Sequence, residues 1–509
     1  MNPIEAALEN RVPDDIVLVD SVAALTAGQL LTHIDELRSM LARAGIDRLG
    51  LLAGNSAAWV AADLACQFAD ICLLPMPVFF ADAQLRHSMQ SAGINAVLTD
   101  DPQRVTAVAG IDRAPNDCGS WQGLTLLRFP NGPRSELPAG TQKITFTSGS
   151  TGTPRGVCLS VKQQLCVADA LAKALQFQAP RHLCLLPLST LLENVSGVYY
   201  PLLAGGTVVT PTDTDTGFSG STGLDMLSML RAFSRHQPTS IILLPQMLVG
   251  LVAALETGWK APAELRFAAV GGAKVSPELI RCARDFGLPV YEGYGLSETA
   301  SVACLNHPGK DLPGSVGSPL SHVQVGVEDG EIIIAGNTFL GYLNEPASWG
   351  KSQVATGDLG EQDAEGFVHL FGRRKNLLIS SFGRNISPEW VESELLLYPE
   401  IAQCVVVGDA RPYCTALIAA ASPAIDNQRI GSLLKIVNQG LPDYARIQRW
   451  HRLREMLRHA DGLFTENGRP RRMAIAEHFA ATIDSMYDDS DTDCSANTSN
   501  VEPLRAVSL

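Results

Sequence analysis

The chain has few aromatic residues, 6% of its 509 positions, and few charged ones, 18%. Lysine is rarer still: only 9 of the 39 basic residues are lysine and the other 30 are arginine. Basic residues are outnumbered by 53 acidic ones, which leaves a net charge of −14 and excludes non-specific attraction to nucleic acid. The 11 cysteines are odd in number and never stand in C-x-x-C spacing, so they read as free thiols in a reducing compartment, not a disulfide frame or a zinc site. The first residues, MNPIEAALENRVPDD, are acidic and carry no apolar centre, unlike a secretory signal. A spanning helix needs about 20 consecutive apolar residues. The best candidate, Ile241–Leu255, is broken by Pro245, Gln246 and Gly250 and reads as core. These absences lead to the expectation of a soluble, cytoplasmic protein without a transmembrane segment. No Walker pattern and no internal repeat is found.

Apolar residues make up 46% of the chain, enough for a sizeable core. At roughly 150 residues per domain, a chain of this length holds several domains or one large lobe and a smaller one. In the first half, short apolar runs alternate with helix-like segments. Arg48–Ala53, Ile71–Val78 and Asn95–Thr99 read as strands and Ala57–Phe68 as a helix. The alternation resumes at Leu183–Leu188, Thr207–Thr210, Ser240–Leu244 and Phe267–Val270. Such alternation predicts an α/β fold with parallel sheets. Pro211–Gly223 reads as a surface loop. After Gly314 the texture turns to short β runs (Val323–Val327, Glu331–Ile334, Phe367–Leu370), the signature of a small all-β portion. Charge marks the boundaries. Residues 1–371 carry −13, residues 372–485 carry +3, and residues 486–509 carry −4 with few large apolar side chains. The expected organisation is a large acidic body, a slightly basic lid, and a disordered acidic tail.

The strongest local signal is Ile144–Val157, ITFTSGSTGTPRGV. A β-favouring lead runs into Thr147, Ser148, Gly149, Ser150, Thr151, Gly152 and Thr153, with Arg155 following. Glycines permit close backbone approach, and consecutive N–H groups with hydroxyls form a concave nest of donors for an anion. A flexible linker of the same composition would not be followed by Thr-Pro-Arg-Gly-Val and further apolar sequence.

That run resembles the phosphate-binding signature of adenylate-forming enzymes, the group of acyl-CoA synthetases, peptide-synthetase adenylation domains and luciferases. Four further segments agree, in order. Gly271-Gly272-Ala273 resembles the wall lining the acyl and adenine sites. Tyr291–Ala300, YEGYGLSETA, resembles the second signature, which implies Glu292, Gly293, Tyr294 and Gly295 around adenine, Ser297 near the phosphates, and Glu298 as the magnesium ligand. Thr356-Gly357-Asp358 resembles the motif whose Asp accepts from both ribose hydroxyls. Gly372-Arg373-Arg374-Lys375 resembles the inter-domain segment, with Arg373 near the ribose and Lys375 at the hinge; Ser381–Glu392 continues it with a CoA-facing loop at Gly383 and Arg384. The resemblance spans about residues 20 to 480, and its texture is closest to long-chain fatty acyl-CoA synthetases, notably in Leu186–Gly206 and Gly408–Ile418. It implies a large N-terminal lobe of layered α/β subdomains with a small β-barrel, and a mobile C-terminal α+β domain.

The implied activity is activation of a medium- or long-chain fatty acid by Mg·ATP to acyl-AMP, then transfer to CoA. Its partners are small molecules, with catalytic roles for Arg469, Glu298 and Thr147. Four positions depart from the pattern: Arg155 and Arg384 stand where Lys is usual, Thr190 where His is frequent, and Arg469 in Gly462–Arg472 where the catalytic Lys is expected. Arginine's planar fork does not replace a compact ammonium freely. Two alternatives therefore remain: an acyl carrier protein as acceptor in place of CoA, and a non-catalytic acyl- or nucleotide-binding homologue.

Overall fold

The computed structural model describes residues 2–110, 115–130, 135–147, 155–219, 223–458, 461–465 and 469–487. It divides into two compact units. The first holds Met1–Ala273, Ile280–Thr356 and Glu361–His369; the second holds Lys274–Leu279, Gly357–Gly360 and everything from Leu370.

Two large sheets build the first unit. In one, Ile16–Asp20, Thr207–Thr210, Arg181–Leu183, Ser240–Leu243, Phe267–Val270 and Val290–Leu296 are successive parallel neighbours, with antiparallel strands at both edges. The other has a parallel centre of Lys143–Thr147, Cys72–Pro75, Arg48–Leu52 and Ala96–Thr99. Parallel neighbours need long crossovers, and helices supply them. Ala57–Phe68 is one, capped by the Ser56 hydroxyl, which accepts from the Trp59 N–H at 3.2 Å. Nearly all its residues are buried, Trp59, Val60 and Leu64 completely, as expected of a helix apolar on every side. Val161–Leu175 begins with a capping box between Ser160 and Gln163.

The expected strands are present at Arg48–Leu52, Cys72–Pro75, Ala96–Thr99, Thr207–Thr210, Ser240–Leu243 and Phe267–Val270. Leu183–Leu188 is strand only up to Leu183, the strand being Arg181–Leu183. Ile241–Leu255 is core, as read, divided between that sheet and the helix Pro245–Glu256. Pro211–Gly223 is not a plain loop. Thr212 caps a one-turn helix, Asp213–Thr216, and Phe218–Ser219 pairs with Gly223–Leu224. The β portion expected as a small barrel is a four-stranded sheet that includes Val323–Glu328 and Glu331–Gly336. Among the described residues ten cysteines are free, and no helix is long and apolar enough to cross a membrane.

A charged cluster lies inside the first unit. Lys143 Nζ contacts Asp63 Oδ1 at 2.7 Å and donates to Tyr199 Oη at 2.7 Å and to Asn194 Oδ1. Tyr199 and Asn194 in turn donate to Asp63 Oδ2 at 2.6 and 2.9 Å. All three ammonium protons have partners, which is the condition for keeping a charge in a dry interior. Burial drives the Lys143 pKa down, and Asp63 opposes that fall.

In the second unit, Ile401–Val407 pairs antiparallel with Cys414–Ala420, which pairs parallel with Ile447–Arg452. Side chains alternate between the faces. Cys404, Val406, Cys414, Ala416 and Ile418 pack with the helices Pro388–Leu395 and Asn427–Gly440. Val405, Leu417 and Ala419 face Leu463, Phe464, Ile475 and Ile483. Met486 and Tyr487, assigned by sequence to the acidic tail, belong to this second core: Met486 is buried and the Tyr487 hydroxyl donates to the Tyr413 carbonyl at 3.0 Å. The rest of the expected tail, 488–509, lies outside the described residues.

Lys143→Met strands Asp63 as an unpaired buried charge. The expected loss is about 3–5 kcal/mol of stability, read from the urea midpoint. The double variant Lys143→Met with Asp63→Asn is expected to recover part of it.

Candidate active site

Thr147 ends its strand opposite Arg155, which begins the next, and the Thr147 hydroxyl lies 3.5 Å from the Arg155 carbonyl. Ser148, Gly149, Ser150, Thr151, Gly152 and Thr153, the centre of the predicted anion nest, lie outside the described residues. The strands on either side of them are paired in register.

The second signature forms the end of the strand Val290–Leu296. Glu292 is buried. Tyr291 stacks on Phe267 with centroids 5.5 Å apart, and the Arg284 guanidinium lies 4.9 Å from the same ring. Tyr294 and Gly293 are half-buried and Gly295 is exposed. Gly295 cannot carry a side chain, because a Cβ there would meet the Ser301 carbonyl oxygen at 1.8 Å. This close approach lets the chain fold back through the turn Ser297–Thr299. Ala300 and Ser301 follow with φ of 57° and 119°, a conformation costly for residues with a Cβ and common at functional turns. Glu298 sits in this turn, its carboxylate Oε1 accepting from the Tyr342 hydroxyl at 2.8 Å. The Phe339 N–H also donates to its carbonyl at 2.7 Å. Burial, and then Glu298, push the Tyr342 hydroxyl well above the usual phenol range, so it stays a donor. Gly272 and Ala273, exposed, follow the neighbouring strand Phe267–Val270.

A separate group lies in the second unit. Asp358, 6% exposed, pairs through Oδ1 with Arg373 Nε at 2.7 Å. Lys375 occupies the turn Arg374–Asn376 directly after the strand Val368–Arg373. Its pKa is lowered by burial, then by the charges of Arg373 and Arg469. Arg469 is held to Thr465: its N–H donates to the Thr465 hydroxyl at 3.0 Å, and its carbonyl accepts from the Thr465 N–H at 2.7 Å. Protein crowding around the guanidinium lowers its pKa, Arg373 lowers it further, and Asp358 and Glu389 oppose the shift. Arg469 itself is exposed. Thus Asp358, Arg373, Lys375 and Arg469, spread over more than 110 positions of sequence, form one electrostatic group. Gly383 and Arg384 are apart from it, at the exposed tip of the hairpin Leu378–Ile379 with Asn385–Ile386. The Thr190 hydroxyl donates to the Pro187 carbonyl at 2.6 Å.

Three residues escaped the sequence reading: Tyr342, Glu345 and Glu389. Tyr342 is 44 positions from Glu298, and the register of Gly341–Tyr342 against Cys158 and Val157 brings it there. No local pattern announces that pairing.

Residues 5–343 match the AMP-binding enzyme family, and residues 375–491 match the AMP-binding enzyme C-terminal domain. The chain therefore belongs to the AMP-binding, adenylate-forming enzymes, and the resemblance drawn from the five motifs is borne out. Among its relatives, the sulfoacetate–CoA ligase of Cupriavidus necator is 30% identical, over 77% of this chain and 81% of its own. The long-chain-fatty-acid–CoA ligase FadD15 of Mycobacterium bovis is 24% identical over 93% of both. The crystal structure of the anthranilate CoA ligase AuaEII with anthranoyl-AMP shares the fold, with a TM-score of 0.79 at 18% identity, covering 95% of this chain and 98% of that one. The expected α/β class, with a large N-terminal and a smaller C-terminal domain, stands. Membership defines an acid–CoA ligase frame, and its relatives act on acids of very different shape.

Gly295→Ala drives a Cβ into the Ser301 carbonyl. It is expected to cost at least about 2 kcal/mol, seen as a lower urea midpoint. Gly326→Ala, whose Cβ would meet open space, serves as the control and is expected to shift little.

Proposed function

We propose that the protein activates an aliphatic, medium- to long-chain carboxylic acid as its acyl-adenylate and passes the acyl group to CoA. The observation carrying this reading is the cluster of Asp358, Arg373, Lys375 and Arg469. The Asp358–Arg373 pair lies within electrostatic reach of two further cations, Lys375 and Arg469, with Glu389 as the second carboxylate of the group, an excess of positive charge suited to a ligand with hydroxyls and phosphates.

In the first step, a carboxylate oxygen of the acid attacks the α-phosphorus of ATP, and the bond to the bridging oxygen breaks to release pyrophosphate. In the second, the CoA sulfur, having lost its proton, attacks the acyl carbon and AMP leaves. No protein nucleophile is required, so positioning and charge stabilisation carry the rate. Asp358 accepts from the ribose hydroxyls and Arg373 steadies it. Tyr294 lies against adenine beside Glu292, Gly293 and Gly295, with Gly272 and Ala273 lining the same side. Thr147, Ser297 and the Ser148–Thr153 run serve the phosphates, and Arg155, the basic residue that follows the run, is engaged by Glu345 and Tyr342. Glu298, a hard oxygen donor already oriented by a hydroxyl, suits magnesium, which supplies neutralisation of the triphosphate when bound. Arg469 supplies positive charge to the developing pentavalent phosphorus. Lys375 acts as the hinge between the two steps, and Gly383 and Arg384 approach CoA. The aliphatic preference rests on the sparse aromatics, 6%, and the Leu- and Val-rich segments around the signatures.

A panel of carboxylic acids assayed for pyrophosphate release, with CoA and with a purified carrier protein as acceptors, tests this reading. Medium- and long-chain fatty acids are expected to give pyrophosphate and CoA thioester together. Faster turnover of aryl or short polar acids rejects the aliphatic assignment. Thioester on carrier protein alone rejects CoA, and absence of AMP with every acid rejects catalysis.

Arg469→Ala is expected to lower acyl-adenylate formation at least tenfold, about 1.4 kcal/mol or more, while Arg469→Lys keeps or raises it. Thioester formation from supplied acyl-adenylate should be spared in both. Wild-type adenylation by Arg469→Ala would reduce the residue to a surface charge.

A further inference from the structure

Arg155, Glu345, Tyr342 and Glu298 all lie in the first unit and form a chain of contacts that leads to one carboxylate. Arg155 Nε donates to Glu345 Oε1 at 2.9 Å and Nη2 donates to Oε2, a two-pronged pair. The same guanidinium lies over the Tyr342 ring, 3.5 Å from its centroid. The Phe339 ring meets Tyr342 edge-on, at 4.7 Å and 71°. The Tyr342 backbone is equally constrained. Its N–H donates to the Ser348 hydroxyl at 2.8 Å, and its carbonyl accepts from Trp349 Nε1 at 2.8 Å. Gly341, with φ of 141°, lets Trp349 close in, since a Cβ there would meet the Trp349 ring at 2.3 Å. With ring and backbone fixed, the hydroxyl has one direction left, and it points at Glu298 Oε1.

We propose that Arg155 and Tyr342 are positioning residues for a divalent cation: Glu345 orients Arg155, Arg155 clamps the Tyr342 ring, and Tyr342 pins one oxygen of Glu298 so that the other is presented to the cation. The inference rests on the reading above that Glu298 takes magnesium. A free glutamate side chain must be ordered when it takes a ligand, and a hydrogen bond already in place removes that cost from binding.

The strap also explains a departure from the family pattern. A planar, forked cation can pair with a carboxylate through two nitrogens and still lie over an aromatic ring; an ammonium, with one nitrogen, cannot make the two-pronged pair. Arg155 thus has a function that the general scarcity of lysine does not account for.

The test is equilibrium binding of a non-hydrolysable ATP analogue to the full chain, with magnesium and with EDTA; the ratio of the two affinities is the magnesium-dependent gain. Tyr342→Phe is expected to reduce that gain about tenfold or more, the scale of a lost hydrogen bond to a charged group, with affinity in EDTA unchanged. Arg155→Lys keeps the charge but loses fork and stack, and is expected to move the gain in the same direction. Glu298→Gln is expected to abolish it. A full gain in Glu298→Gln overturns the cation assignment itself. Loss there with a wild-type gain in both Tyr342→Phe and Arg155→Lys overturns the strap alone. Equal loss with and without magnesium in Tyr342→Phe, alongside a lower melting temperature, also overturns it, since a hydroxyl that only supports the fold behaves so.

Discussion

Lys143 keeps its charge inside the first unit because each of its three protons has a buried acceptor. Those acceptors come from the helix Ala57–Phe68, through Asp63, and from the segment Asn194–Tyr199. The cluster therefore ties a strand of one large sheet to a crossover helix and to a helical segment far along the chain. Four residues after Lys143 the same strand ends at Thr147, about 13 Å away at the usual rise, where the Ser/Thr/Gly run begins. The end of that strand, at Thr147, is thus held in place by an ion pair four residues back along the chain. Such a pair is weak evidence for stability but strong constraint on register, since any slip leaves a charge without a partner.

The candidate catalytic groups of the first unit sit where parallel strands end. Thr147 closes Lys143–Thr147, Gly272 follows Phe267–Val270, and Glu298 follows Val290–Leu296. Ligands of open α/β sheets bind outside the carboxyl ends of strands because side chains and free backbone groups gather there. The second unit uses another device. Its three-stranded sheet is buried on both faces, and the charged groups lie outside it: Asp358, the turn after Arg373, and Arg469, held to Thr465.

Two of the three arginines found where the resemblance led us to expect lysine, Arg155 and Arg469, differ in their surroundings. Arg155 engages a carboxylate with two nitrogens while its guanidinium carbon lies 3.5 Å from the Tyr342 ring centroid, and the two-pronged half of that arrangement is open to guanidinium alone. Arg469 stands among other cations, its pKa lowered by crowding and by Arg373, with Asp358 and Glu389 offsetting them. A preference for arginine throughout the chain is compatible with both. It explains the first less well than the geometry does.

The sequence by itself determined what repeats over short distances. Arg48–Leu52 and Thr207–Thr210 are legible as strands and Ala57–Phe68 as a helix, because period and capping are local properties. The signatures were legible too, since each is a short run of residues whose match to the family depends on local order alone. The one-turn helix Asp213–Thr216 was not, being shorter than any apolar period. Only the tertiary structure decided that Asp63 neutralises Lys143, that Tyr342 holds Glu298, and that Arg469 joins Asp358 and Arg373 in one electrostatic group. Each of these joins residues 44 or more positions apart. Strand register and packing bring such partners together, and neither leaves a trace in local order.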